Sequence, residues 1–340
     1  MRTATFTSGV PTSIGSLPHR DRDAAVAFIL ERHPELPAAP SLPALDGRES
    51  MLAQAAWGVA GITVAGSGRL SIESSLLDPD APLGDPALAG VAFATFRRFL
   101  VAVSDRTAPI KLQLTGPITL GLALFELGID ADLAFRIASR AVHERAVQVL
   151  AAAAEHTPAR SLVVFIDEPG LSAAARPDFP LSTEETIDLV SGALAVIEPH
   201  AVTGLHCCGP ADWRALLQAG PQILSLPVEI GPDVESGIVA SGSALNSFFE
   251  RGGWVAWGAV PTGRPLGPGA GRPWRVLSTQ WRALVEAGCD PVRLRRQALI
   301  TPPVAWPCTA RATPRVLELT RDLAARLQDP GVGVTLSVGA

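Results

Sequence analysis

The chain has 340 residues, 47% hydrophobic and 18% charged, with a net charge of −5. That balance provides for a large buried core and excludes a disordered chain; without a run of basic residues it offers neither a nucleic-acid groove nor a membrane-surface patch. No stretch reaches ~18 uninterrupted apolar residues, the usual minimum for a membrane span, and the first residues lack the apolar centre of a secretory signal, so a cytoplasmic protein is expected.

Along the chain, short apolar runs alternate with longer amphipathic ones, the pattern of parallel strands joined by crossover helices. The first strand is expected near Ser13-Ile14-Gly15. The second is expected near Ser41-Leu42-Pro43, where Gly61-Ile62-Thr63-Val64 competes for the place. Clearer runs follow at Ile110 to Leu114, Leu162 to Ile166, Ala201 to Leu205, Gln222 to Leu226, Trp254 to Gly258 and Ala298 to Ile300. Eight strands predict a single (β/α)₈ barrel over residues 1–340. Helices are predicted from Asp23 to Arg32, Leu133 to His156, Ala211 to Ala219, Val276 to Ala287 and Pro314 to Gln328, and the run Ser182-Thr183-Glu184-Glu185 has the form of a capping box opening another. Pro261 to Pro273 is rich in Gly and Pro and reads as a long loop, either a lid or a plain linker, on the face where the strands end. Lys111 is the only lysine, which reads as a coding bias toward arginine.

The residues that carry chemistry fall at expected strand ends, where a barrel of this kind gathers its active site. His206-Cys207-Cys208 directly follows Ala201 to Leu205. In extended chain alternate residues face the same way, so His206 and Cys208 are expected to share one direction and Cys207 the other. Cys308 lies just beyond the eighth strand. One imidazole and two thiolates form a zinc-like ligand set with a fourth position open, against the alternative of cysteines merely packed in a core. Four cysteines in a cytoplasmic chain read as thiols or ligands rather than disulfides, with Cys289 structural. Glu229, near the sixth strand's end, is a candidate fourth ligand or a solvent-facing loop residue. Asp167-Glu168-Pro169 ends the fourth strand with two carboxylates, which call for a cationic partner, either a substrate ammonium or a barrel arginine. Gly15 and Ser16 offer amides and a hydroxyl to a carboxylate, and Thr115 ends the third strand in a similar segment, Thr115-Gly116-Pro117.

In order, the segments Thr12 to Pro18, Leu114 to Thr119, Phe165 to Pro169, His206 to Cys208 and Cys308 resemble the cobalamin-independent methionine synthase family, specifically its catalytic C-terminal barrel. The uroporphyrinogen decarboxylase and corrinoid–thiol methyltransferase families share this barrel, and the His-X-Cys with a late Cys is similar to the methyltransferases. The resemblance implies zinc as cofactor, held by His206, Cys208 and Cys308. It implies that Asp167 receives the amino group of homocysteine and that Ser16 lies near its carboxylate. Three features depart from the pattern. One barrel is expected in these 340 residues, where full-length members of the family carry two, and Trp254 to Arg264 contains neither the histidine nor the acid that the family uses toward folate. The glutamate ligand of the family aligns nearer Pro227 than Glu229. Together these resemble the short, core-type members and imply a methylated corrinoid, or a corrinoid protein, as methyl donor. The alternatives are a corrinoid-dependent methyltransferase for another thiol, a zinc-holding protein without catalysis, and a metal-free decarboxylase.

Overall fold

The computed structural model describes residues 6–157, 162–174, 176–228, 231–263, 265–304 and 311–329. Strands form on short runs dominated by apolar residues. These are β1 (Val10–Pro11), β4 (Ile110–Thr115), β5 (Leu162–Asp167), β6 (Val202–His206), β7 (Ile223–Pro227), β8 (Trp254–Gly258) and β9 (Ala298–Thr301). All pair in parallel, in the order β1-β9-β8-β7-β6-β5-β4. The sheet curls until its two outer strands flank the segment 37–41, which bridges to Lys111 of β4 through Ala38 and to Ser16, beyond the end of β1, through Ser41. That segment takes the second strand's place, and the fold is a single-barrel α/β architecture with helices outside. The competing run, Ile62–Val64 (β2), instead forms a hairpin with Leu70–Ile72 (β3) away from the barrel.

Because the strands are covered on both faces, their side chains alternate between two cores. Val164, Ile166, Leu205, Leu224 and Val255 face outward into the large shell packed under the helices. Val163, Phe165, Val202, Ile223, Trp254, Ala256 and Leu299 fill the barrel's interior below the site. Each fully buried side chain of this size contributes roughly 1.5–3 kcal/mol, so the filled interior is a support for the site above it rather than a channel. Phe165 occupies the centre because its register partner is Gly204, where a Cβ would come within 2.5 Å of the ring.

The helices begin where the sequence offers caps. Asp21 accepts from the Ala24 amide at the start of Arg22–Arg32, and Ser182 and Glu185 make the reciprocal bonds of the capping box at Thr183–Ile197. The Gly- and Pro-rich loop is shorter than expected. The helix Gly271–Glu286 begins inside it, with Pro273 in the first turn, where a missing N–H breaks no helical bond.

Candidate active site

The ends of four neighbouring strands define the site. Thr115 is register partner to Asp167, Asp167 to His206, and His206 to Ser225. As partners in one register row, these side chains turn inward together, one row above Phe165 and Gly204. Above them is a cavity of about 290 Å³, lined among others by Ser16, Met51, Gln113, Thr115, Asp167, His206 and Cys208.

The two adjacent carboxylates have different tasks. Glu168 is fully buried and accepts from the Ile118 amide at 2.8 Å, the Thr119 amide at 2.7 Å and the Thr119 hydroxyl at 2.6 Å. It is therefore the cap of the helix Pro117–Glu126, whose first amides have no helical acceptors. Burial pushes its carboxyl up, while the Thr119 hydroxyl and the two amides pull it back. Gly116 is required here, because a Cβ would lie 2.1 Å from Glu168 Oε1. No arginine pairs with either carboxylate among the described ion pairs. Asp167 faces the cavity, and its Oδ1 is buried without a hydrogen-bond partner. Burial raises its pKa and the charge of Lys111 opposes that. An orphaned carboxylate oxygen in a cavity wall is suited to receive a cation.

His206 is buried, and its Nδ1 lies 2.9 Å from Ser225 Oγ. Burial, aided by Lys111, lowers its pKa to about 3, so the imidazole is neutral. With Nδ1 engaged by Ser225, Nε2 is the nitrogen left for a ligand, the arrangement typical of an oriented metal-binding imidazole. Cys207 and Cys208 diverge: Cys207 is fully buried in the outer shell with its thiol toward the Gly209 carbonyl, and Cys208 is partly exposed in the cavity wall. Burial pushes Cys207 to about 12 and raises Cys208 as well. A neutral, oriented imidazole and a thiol on one cavity fit a zinc-type ion by their donor chemistry. Among the described residues no three His, Cys, Asp or Glu side chains form a metal-holding cluster. Cys308 and Glu229 lie outside the described residues. Cys289 is buried against the Gly242 carbonyl, remote from this cavity.

On the opposite wall Ser16 Oγ lies 2.9 Å from Ser41 Oγ. Gly15 is not part of the lining; with φ +144° and a Cβ position 2.4 Å from Gln113 Nε2, it allows the backbone to pass close over that side chain. The Thr115 hydroxyl donates to the Met51 carbonyl at 2.8 Å, which fixes the short helix Met51–Ala56 beside the cavity. Lys111 is more than the coding bias that its rarity suggests. Its side chain is fully buried inside the barrel, with Nζ 2.8 Å from the Ile14 carbonyl and 4.6 Å from the Phe165 ring centre. Its being the sole lysine was the available signal. A larger groove of about 820 Å³ runs between the outer helices Ala131–His156 and Thr183–Ile197, and it contains none of these groups.

No family model and no curated protein sequence matches the chain. Solved structures do. A methyltransferase from Methanosarcina mazei superposes with a TM-score of 0.55 at 18% identity, covering 97% of this chain and 95% of that one. A B12-independent methionine synthase from Shewanella sp. W3-18-1, in complex with selenomethionine, gives 0.58 at 14% identity, covering 94% and 98%. Both likenesses establish the fold. Coverage is near complete in each direction, so the match spans nearly the whole of both chains and is not confined to a shared fragment.

Proposed function

We propose that this protein is a methyltransferase that transfers a methyl group to the sulfur of an amino-acid thiol, homocysteine in the first instance, with zinc as its cofactor. The observation that carries the reading is the meeting, on one cavity, of an unpartnered Asp167 oxygen with the His206 imidazole and the Cys208 thiol. A site made for a thiol without an ammonium group has no use for that carboxylate. Both superposed proteins are, by their own descriptions, a methyltransferase and a methionine synthase, which supports the reaction class.

His206 and Cys208, with Cys308, would hold the metal. Zinc, when bound, supplies an activated acceptor, because coordination removes the proton from a thiol whose ordinary pKa is about 8.5. The remaining work belongs to the chain. Ser225 fixes the tautomer and direction of His206. Asp167 takes the acceptor's ammonium, and the Ser16 hydroxyl, on the opposite wall, is within the same cavity for its carboxylate. Holding both ends of the acceptor leaves its sulfur one direction in which to meet the donor, and such orientation is a principal source of rate. The lack of a histidine or acid from Trp254 to Gly263 supports a methylcorrinoid, free or protein-bound, as donor in place of a folate.

Metal content and X-ray absorption at the zinc edge test the proposal. About one zinc per chain, gaining a sulfur neighbour on addition of homocysteine, is expected. Zinc that ignores homocysteine would remove that acceptor, and a protein purified without zinc would end the reading.

A further inference from the structure

The strand pairing of the barrel wall is sparse between β1 and β4. The β4–β5 ladder pairs six residues on each strand, but the backbone pairing of segment 37–41 with its neighbours is two isolated bridges. Two side chains of β4 cross the inside of this seam. Lys111 Nζ donates to the Ile14 carbonyl at 2.8 Å and to Gln113 Oε1 at 3.4 Å, and Gln113 Nε2 donates to the Ala39 carbonyl at 2.6 Å. Gly15 is pressed onto this pair, its Cβ position 2.4 Å from Gln113 Nε2. On either side of Gly15, Ile14 and Ser16 line the cavity. A buried ammonium is costly to desolvate, and an apolar side chain would fill the same space without that cost. The charge is nevertheless met by a carbonyl, an amide oxygen and the Phe165 ring 4.6 Å away.

We infer that Lys111 is a positioning residue, which buckles the β1–β4 seam from within and sets the place of the Ile14–Ser16 wall of the cavity. The inference concerns the wall itself; only its affinity readout rests on the functional reading above. It is tested by amide hydrogen exchange of Lys111→Met. The Leu17 and Ala39 amides, which donate across the seam to Ser41 and Lys111, are expected to exchange about tenfold faster or more, with Phe165 and Leu205 unchanged. Homocysteine affinity is expected to fall about tenfold at unchanged zinc content. Exchange that rises evenly over all strands, or that stays unchanged at Leu17 and Ala39, overturns the inference. A wild-type protein that binds no homocysteine overturns only the acceptor assignment, because the exchange result stands by itself. Should Lys111→Met fail to fold, the wild-type chain labelled with [13Cε]lysine still decides. Its single lysine signal should persist under amine methylation until the chain is unfolded, and a signal lost at the rate of a free amine overturns the inference.

Discussion

Asp167 and His206 are register partners on adjacent parallel strands, and both line the same cavity. The Asp167 side chain has no partner at Oδ1, while the His206 ring is fixed by Ser225. Because the side chain held by Ser225 is that of His206 alone, the two functions are separable by mutation. Asp167→Asn keeps the shape and removes the charge that would face an ammonium. A lost hydrogen bond to a charged group costs roughly 1.5–3 kcal/mol, so homocysteine binding should weaken about 10- to 100-fold with zinc retained. Calorimetric titration checks this, and unchanged affinity would count against Asp167 as the ammonium's partner.

The adjacent cysteines give an equally local prediction. Cys208→Ser should lose the metal, since Cys208 lies in the cavity wall, whereas Cys207→Ser should retain it. Cys207 is packed in the outer shell, so its replacement by a hydroxyl should cost about 1–3 kcal/mol of stability. Metal analysis and urea denaturation of the two variants separate these outcomes; loss of zinc from Cys207→Ser would refute the assignment.

Glu168 caps a helix from the end of a strand. Its three charge-assisted bonds predict that Glu168→Ala loses on the order of 3 kcal/mol or more of stability, through the orphaned amides of Ile118 and Thr119. Gly116→Ala should act at the same place, because the new Cβ would meet the carboxylate. Shifts of the urea midpoint by less than about 1 kcal/mol in both would show that the cap is dispensable.

Those bonds also show what could be read in the sequence and what could not. The six central strands were legible because short, mostly apolar runs were set between longer amphipathic ones, and most of them ended at Gly, Pro or acidic residues. The alternation of His206, Cys207 and Cys208 was legible because a strand's period is two. The helix Pro117–Glu126 was not: Pro117 to Gly121 and Leu124 are all buried, so no polar face marks its period. Nor was the task of Glu168 legible, since its partners lie about fifty residues earlier and only the parallel register brings them together. Lys111 read as composition for the same reason. Its meaning depends on which way β4 turns its odd-numbered side chains, and that is decided by the closed barrel. The second strand was hard to choose because segment 37–41 is held by two bridges, while Ile62–Val64 satisfies itself in a hairpin.

The tight fit of Phe165 against Gly204 predicts a compensating pair. Gly204→Ala would place a Cβ 2.5 Å from the ring, and overpacking of this kind costs about 1–3 kcal/mol. Phe165→Leu alone leaves space in the same layer. The double variant should therefore be more stable than the sum of the single losses by at least ~0.5 kcal/mol, as a double-mutant cycle in urea would show. Strict additivity would mean that the strands move apart instead.

Acid should destabilise the fold through a histidine far from the cavity. His33, which ends the helix Arg22–Arg32, is fully buried, and burial lowers its pKa to about 3. In the unfolded chain the same ring titrates near 6.5. Above that pH both states are neutral and the residue has no effect. As pH falls below it, the unfolded chain binds a proton that the folded one refuses, so stability is lost until the folded ring also titrates near 3. The loss approaches 1.36 kcal/mol per pH unit and reaches about 2 kcal/mol at pH 5. His206, also lowered to about 3, adds a loss of the same sign, while the raised pKa of Glu168 works in the opposite direction over its own range. Comparison with His33→Phe cancels those shared contributions. The difference in unfolding free energy between the two proteins should be flat from pH 8 to about 7 and then move in favour of the phenylalanine variant as pH falls. A difference independent of pH down to 5 would mean that His33 is protonated in the folded protein and has found an acceptor for its charge.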